Sequence, residues 1–424
     1  MEKNNEIRIA DLAQPVYTAM QKKFLDDTAA LTVPLDRESI LDESRKTTGL
    51  DDFGEQDFLE RLDLLVDEWN ADKGLNNLGR LSLRSKLVQH ACSRLLIEDQ
   101  FRRHPEIHDI DIEKPIIVIG LPRSGTTHLL NLLAADSRLR ALPLWESYEP
   151  VPRPGEAPQA GGVDPRYQRC SDAWQMMQQL TPLLAAMHPM NPDHIHEELE
   201  LMGPDFASYN YEWLSPSPRW RDHYYRCDQT PHYAYMKKVL KLLLWQERGQ
   251  GKPTRWVLKC PQHLEQIPAL LRTFPDAVFA VSHRDPVSVL QSSVTMLAYG
   301  QRMNRNTVDT SALIDYWRDR VEHLLRACCT DRDKLPTERS IDVYFHEFMA
   351  DDLAMVARIY ELAGLEMTAQ ARGELQQYIA DHPRGKEGRM VYDLQGDFGV
   401  TPASLYQRFA FYFQQFPVRQ ENHH

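Results

Sequence analysis

The 424-residue chain carries two glycines five apart, in the run Gly120-Leu-Pro-Arg123-Ser-Gly125-Thr126-Thr127. This spacing lets the backbone curl around an anion, and the free N–H groups of a helix beginning at Thr126 would point at it. Arg123 adds a cation inside the loop. Farther on, Arg284 is followed eight residues later by Ser292. An arginine fork with a hydroxyl nearby suits phosphate oxygens. His263, in the run Lys259-Cys-Pro-Gln-His263, is of the type that takes up a proton near neutral pH. Taken alone, His263 reads as a satisfied turn histidine more often than as a base, so these residues by themselves describe an anion site and leave the proton chemistry open.

One position decides the kind of anion. The nucleotide triphosphatase signature has a Lys directly after its second Gly, then a Ser or Thr for Mg²⁺. Here Thr126 stands at the Lys position, and the basic residue is Arg123, two residues before Gly125. ATP hydrolysis is therefore disfavoured. Two rivals stay open: a P-loop kinase or NTPase would share the fold, and a noncatalytic nucleotide-binding protein would keep both arginines without needing His263.

Pro122-Arg123-Ser124-Gly125-Thr126-Thr127 resembles the phosphosulfate-binding loop of the sulfotransferases that use 3′-phosphoadenosine 5′-phosphosulfate (PAPS). The resemblance implies that Arg123, Ser124, Gly125, Thr126 and Thr127 hold the 5′-phosphosulfate, and that Arg284 with Ser292 holds the 3′-phosphate. It implies a catalytic role for His263 as base, with Arg123 and Lys259 beside it. The family's turn is Lys-Thr-His-like, and two extra residues separate Lys259 from His263 here. The basic run Arg384-Gly385-Lys386 is similar to the family loop that closes over the 3′-phosphate, and Tyr344-Phe-His346-Glu347 to a structural landmark. The implied reaction moves a sulfuryl group from PAPS, the co-substrate, to a hydroxyl of a small acceptor, without a metal.

Those residues need strand ends to carry them. Ile116 to Ile119 is a β-branched run too short for a helix, stopped by Gly120 and Pro122. Leu129, Leu130, Leu132 and Leu133 give the next helix its apolar side. Arg255 to Lys259 reads as a strand, Cys260 to His263 as its turn, and Leu264 to Phe274 as a helix. Asp276 to Ser282 is the next strand, and Val287 to Leu297 the next helix, with Asp285 as N-cap and Pro286 at its first position. This βαβ order means a parallel sheet with right-handed crossovers, and ligands collect beyond the carboxyl ends of its strands. His263, Arg284 and the glycine loop all fall on that edge. The expected class is α/β, a three-layer fold of the P-loop type with a central parallel sheet flanked by helices. Residues 111–424 form its domain, with a helical acceptor-site insertion at about 165–250, and residues 1–110 a helical extension packed on the core.

A net charge of −12 argues against nucleic acid as the main partner, so the anion site must be a local basic pocket. No signal-peptide core follows Met1 and no long apolar run occurs later, so no integral membrane segment and a cytoplasmic location are expected. The six cysteines lack C-x-x-C spacing and read as reduced thiols. Phe58, Leu62, Leu65 and Trp69 share a helix face, as do Leu83, Leu87, Ala91 and Leu95. Covering the sheet or the substrate mouth is the expectation for them, and a homodimer contact the alternative. Ser147 to Tyr167, rich in Pro and Gly, reads either as a lid or as a plain surface connection. Aromatics between Trp174 and Trp245 belong mostly to the core, with a minority lining a pocket for an apolar alcohol, phenol, lipid or steroid-like acceptor. Asp193-His194-Ile-His196-Glu197-Glu198-Leu-Glu200 lacks the H-E-x-x-H metal pattern and reads as a solvated acidic helix start, with a polar wall of the acceptor site as the alternative.

Overall fold

The computed structural model describes residues 6–156, 162–384 and 388–421. Its strands are β1 (Glu6–Arg8), β2 (Ile116–Gly120), β3 (Leu139–Arg140), β4 (Arg255–Cys260), β5 (Val278–His283), β6 (Ser340–Tyr344) and β7 (Arg389–Val391). Five of them make one parallel sheet in the order β3-β4-β2-β5-β6. From the central β2 the chain first builds one wing, β3 and β4, and then crosses to build the other, β5 and β6. The order therefore reverses at β2, where open α/β sheets form their ligand crevice.

Period-two alternation makes this sheet two-sided. Ile116 and Val118 of β2 join the cluster that holds Leu129, Leu133, Val257, Val278 and Val343. Ile117 and Ile119 point the other way, into the cluster with Trp256, Phe279, Val281 and Val294. With both faces covered by helices, every residue of β2 is buried, as a central parallel strand requires. The class is the α/β P-loop-type architecture expected, with more helix around it than sheet.

The N-terminal part is helical except for β1, which pairs in parallel with β7. That strand corrects the all-helical expectation for residues 1–110: three residues are too few for periodicity to reveal, and the partner lies near the other end of the sequence. Helices α1 (Phe58–Ala71) and α2 (Asn77–Arg103) bury the two predicted faces against Phe206, Tyr211 and Trp220. The N-terminal layer thus covers the insertion. A buried carboxylate fastens the two together: Asp205 accepts from Arg61 at 2.9 Å, Arg94 at 3.0 Å and His232 at 2.5 Å. Among the described residues no helix is long and apolar enough to cross a membrane.

Three further helices carry the site: α3 (Thr126–Ala134), α4 (Asn210–Leu214) and α5 (Pro286–Gln301). A fourth, α6 (Thr310–Asp331), locks two of the site's supports together through one side chain. Arg320 is fully buried and donates to Glu212 of α4 at 2.8 Å and to Glu265, in the turn after β4, at 2.6 Å through two nitrogens. Two carboxylates so deep are tolerable only with a cation between them. Replacing Arg320 by Ala should cost about 3–5 kcal/mol of unfolding free energy, because both buried carboxylates lose their arginine and keep only Tyr316 and His323. Urea unfolding checks this; a loss below about 1 kcal/mol, the range of exposed pairs, would contradict it.

Candidate active site

The loop between β2 and α3 is shaped by two glycines. A Cβ on Gly120 would sit 2.9 Å from the side chains of Ser282 and Thr126. Gly125 lies at φ 85° and meets the Phe345 ring, which a Cβ would approach to 3.0 Å. Between them Arg123 adopts φ 65°, a strained conformation for a residue with a side chain. The strain has a result: the Arg123 carbonyl turns to accept from Arg284 Nη1 at 2.7 Å, while Ser282 Oγ donates to the Ser124 carbonyl at 2.9 Å. The loop's carbonyls are drawn toward β5. The first-turn N–H groups of α3, which have no intrahelical acceptor, are left facing an open cradle with the positive end of the helix dipole behind them. Ser124 Oγ donates back to the Leu121 carbonyl at 2.6 Å, so this hydroxyl braces the loop. Thr126 is buried, whereas Gly125 and Thr127 line the cleft.

Arg123 and Ser292, distant in sequence, meet at this cradle. Arg123 Nε donates to Ser292 Oγ at 3.0 Å and Nη1 to the Met187 carbonyl at 2.7 Å, and Ser292 Oγ also bonds Tyr392 Oη at 2.9 Å. These partners of the guanidinium are neutral, and burial pulls its pKa down. A half-buried cation so held is suited to gaining an anion. Arg284, at the end of β5, lies 4.0 Å over the Phe345 ring and grips Glu421 through Nε at 2.6 Å and Nη2 at 2.7 Å. Of the basic loop, Arg384 donates to the Met349 carbonyl at 2.7 Å and to Asp352, outside the cleft lining. Gly385 and Lys386 lie outside the described residues, as do residues 157–161 of the Pro- and Gly-rich stretch. Of that stretch, no described residue lines the cleft; Val151 is buried and the Pro150 carbonyl accepts from Gln246.

The opposite wall is built on a doubled carboxylate. Lys259, at the end of β4, is 1% exposed, and its ammonium pairs with Glu197. The next residue, Glu198, faces away from the cleft: one oxygen accepts the Lys259 main-chain N–H at 2.8 Å and the other meets His263 Nε2 at 2.6 Å. Tyr233 Oη takes the second His263 nitrogen at 2.8 Å. His263 is fully buried, both ring nitrogens are spoken for, and it is absent from the cleft lining. The expectation that His263 meets the acceptor is thereby corrected. Its imidazole holds Glu198, and Glu198 holds Lys259. Glu197 is the group that faces the cleft, and burial pushes its pKa up against the opposing pull of Lys259.

The segment around Glu197 is not a solvated helix start. His194 and His196 are fixed through main-chain bonds to Leu144 and Leu142 at 2.9 Å and 2.7 Å. His188, His194 and His196 stand with ring centroids about 6 Å apart (5.9, 6.1 and 6.2 Å). Burial holds His194 down at about 4 and His196 at about 3, and His188 well below its ordinary value. Glu200, held low by Lys86 and His90 in spite of burial, bonds Lys86 at 3.1 Å and Asn210 at 2.8 Å. This run is the polar wall. Acid residues in series resemble a helix N-terminus in sequence, and only the lysine and histidine brought from elsewhere make them a buried wall.

Cradle and wall enclose a cleft of about 330 Å³, in the range of small-molecule sites. Met190, Leu199, Trp213, Pro261 and Met296 supply its apolar lining. Trp213 is the one aromatic of the Trp174–Trp245 set in that lining; Tyr209, Tyr211, Trp220, Tyr224 and Tyr233 are core, while Met176 is exposed. Sequence reading missed Asn210, Phe345 and Tyr392 as site residues, and reached Glu197 only as one member of a run offered as a polar wall. The paired Glu197-Glu198 beside an unpaired strand-end Lys259 was the available signal.

Residues 115–369 match the sulfotransferase family. The chain belongs to that family. This sulfotransferase is 23% identical over 289 residues to omega-hydroxy-beta-dihydromenaquinone-9 sulfotransferase Stf3 of Mycobacterium bovis, covering 64% of this chain and 68% of the relative. Among solved structures it resembles sulfotransferase STF9 of Mycobacterium avium (26% identity, TM-score 0.80, 92% of this chain and 99% of that one). It also resembles STF1 of Mycobacterium tuberculosis H37Rv (28% identity, TM-score 0.76, 91% and 100%).

The imidazoles of the sulfotransferase's polar wall carry a pH consequence. In the unfolded chain they protonate near 6.5, whereas folded His194 and His196 stay neutral down to about 4 and about 3. Folded pKa values below unfolded ones give stability that is complete above pH 6.5 and lost as pH falls toward the folded values. The urea midpoint should therefore drop between pH 6.5 and 4, and His194→Gln with His196→Gln should flatten the drop. An unchanged slope in the double variant would contradict the neutral burial of these rings.

Proposed function

We propose that this sulfotransferase takes its sulfuryl group from PAPS and delivers it to a hydroxyl of a small, largely apolar acceptor. The observation that carries the reading is that an anion cradle and a buried carboxylate–ammonium pair open on one cleft. The α3 N–H groups and Arg123 neutralise the 5′-phosphosulfate. Arg284 and Ser292 take the 3′-phosphate, which ATP and ADP lack. Arg384 would have to leave Asp352 to join them, so the basic loop is left a secondary role.

Sulfuryl transfer moves a charged group between an attacking and a leaving oxygen in line, so positioning and electrostatics do most of the work. The acceptor oxygen bonds to sulfur as the sulfur–oxygen bond to the 5′-phosphate breaks, giving a sulfate ester and adenosine 3′,5′-bisphosphate. Glu197, its basicity raised by burial, takes the hydroxyl proton. Lys259 stands against the oxygens of the moving group. His263 is a positioning residue, acting through Glu198 on the Lys259 main chain.

Met190, Leu199, Trp213 and Met296 favour an aromatic or lipid-like alcohol, and Asn210 gives that molecule one polar anchor. The Stf3 relative is named for omega-hydroxy-beta-dihydromenaquinone-9, an acceptor of the same character. Glu197→Gln should lower kcat about 10²- to 10⁴-fold, the size of a lost general base, with adenosine 3′,5′-bisphosphate affinity within a few fold. In the unaltered enzyme kcat should fall as pH drops through a Glu197 pKa above the ordinary glutamate value. Turnover unchanged in the variant would remove Glu197 from the mechanism, and no sulfuryl transfer to any of a panel of apolar alcohols and phenols would remove the reaction.

A further inference from the structure

The segment after Phe416 returns across the sheet edge and puts a carboxylate where a phosphate is expected. Glu421 meets Arg284 in a two-pronged pair, Nε to Oε1 at 2.6 Å and Nη2 to Oε2 at 2.7 Å. Three more contacts seat the strap. The Glu421 N–H donates to Asp285 Oδ2 at 2.7 Å, and Tyr406 Oη donates to the same Asp285 oxygen at 2.6 Å and to the Glu421 carbonyl at 3.1 Å. Upstream, Phe416 is buried and Val418 packs against the core. The third nitrogen of Arg284 is committed to the Arg123 carbonyl, so Glu421 takes the fork that remains for an incoming anion.

We propose that Glu421 is an internal stand-in for the donor's 3′-phosphate, and that the strap of residues 417–421 must release Arg284 before PAPS binds. The inference rests on the reading that Arg284 is the 3′-phosphate ligand. A carboxylate presents two oxygens to the guanidinium plane as a phosphate does, so the two compete for one fork. The side chain is 33% exposed, so it leaves without unfolding the core beneath it. Partly exposed pairs are weak, and a dianionic phosphate with cradle contacts of its own outcompetes this one. The strap therefore tunes affinity and does not block the site. It also keeps Arg284 oriented, and its charge compensated, while the site is empty.

If the strap is closed in about nine of ten free molecules, the apparent Kd is about tenfold weaker than that of the open site. Glu421→Gln in the full chain should therefore tighten adenosine 3′,5′-bisphosphate about tenfold by calorimetry. Adenosine 5′-phosphosulfate, which has no 3′-phosphate, should be unaffected. Tyr406→Phe, which removes one tie of the strap, should shift bisphosphate affinity the same way by less. Arg284→Ala separates the two ideas. If it weakens the bisphosphate while Glu421→Gln changes nothing, the strap is overturned and the 3′-phosphate reading stands. Equal gains for both nucleotides in Glu421→Gln also overturn it, because the carboxylate would then not be competing with a 3′-phosphate. Unaltered bisphosphate affinity in Arg284→Ala overturns the assignment of Arg284 and the strap with it.

Discussion

A lysine buried at the end of a strand must find its negative partner inside the protein, and this requirement organises the cleft. Lys259 is met from two sides by consecutive residues, Glu197 on its ammonium and Glu198 on its main-chain N–H. Neighbouring carboxylates diverge, so one segment supplies both the cleft-facing group and its anchor. The anchor is itself anchored, by His263 and then Tyr233. Arg320 ties the turn after β4 to α4, and Asp205 ties the insertion to the N-terminal helices. Each layer of ion pairs is tolerable in the interior because its partners are fully supplied, and removal of one member leaves a buried charge exposed to that cost. The result is a wall that fixes Glu197 at the cleft.

The cradle obeys the complementary rule. There the protein leaves positive character incompletely answered: Arg123 has neutral partners, and the first turn of α3 offers its N–H groups. Arg123 sits in a strained backbone conformation that sends the loop's carbonyls toward Ser282 and Arg284. Strain held by hydrogen bonds on the β5 edge keeps the cradle open before any ligand arrives. An overall acidic protein can thus present a local anion site, because the excess negative charge is placed elsewhere.

The sheet, its parallel sense and the cradle were legible in the sequence, since β-branched runs ending in Gly-Leu-Pro-Arg or His-Arg-Asp-Pro are local signals. The juxtaposition of Arg123 with Ser292 was legible only as membership of one sheet edge; the direct bond of 3.0 Å between them depends on side-chain packing. His263 illustrates the limit. Its residue type and place after a strand suit a base, and no local feature tells which way a turn side chain points; Tyr233 and Glu198, which enclose it, come from other segments. The acidic run at Glu197 was misleading for the same reason, because its burial is imposed by Lys86, His90 and Lys259. The β1–β7 pair, joining the two ends of the chain, left no periodic trace at all.

The central claim is that this sheet edge recognises a nucleotide carrying phosphate at both the 3′ and 5′ positions. Calorimetric titration of the unaltered protein with adenosine 3′,5′-bisphosphate and, in parallel, with ADP tests it most directly. The account predicts that the bisphosphate binds at least about tenfold more tightly, a difference of about 1.4 kcal/mol, with no dependence on added Mg²⁺. Equal affinities, or an ADP complex that tightens with Mg²⁺, would contradict it.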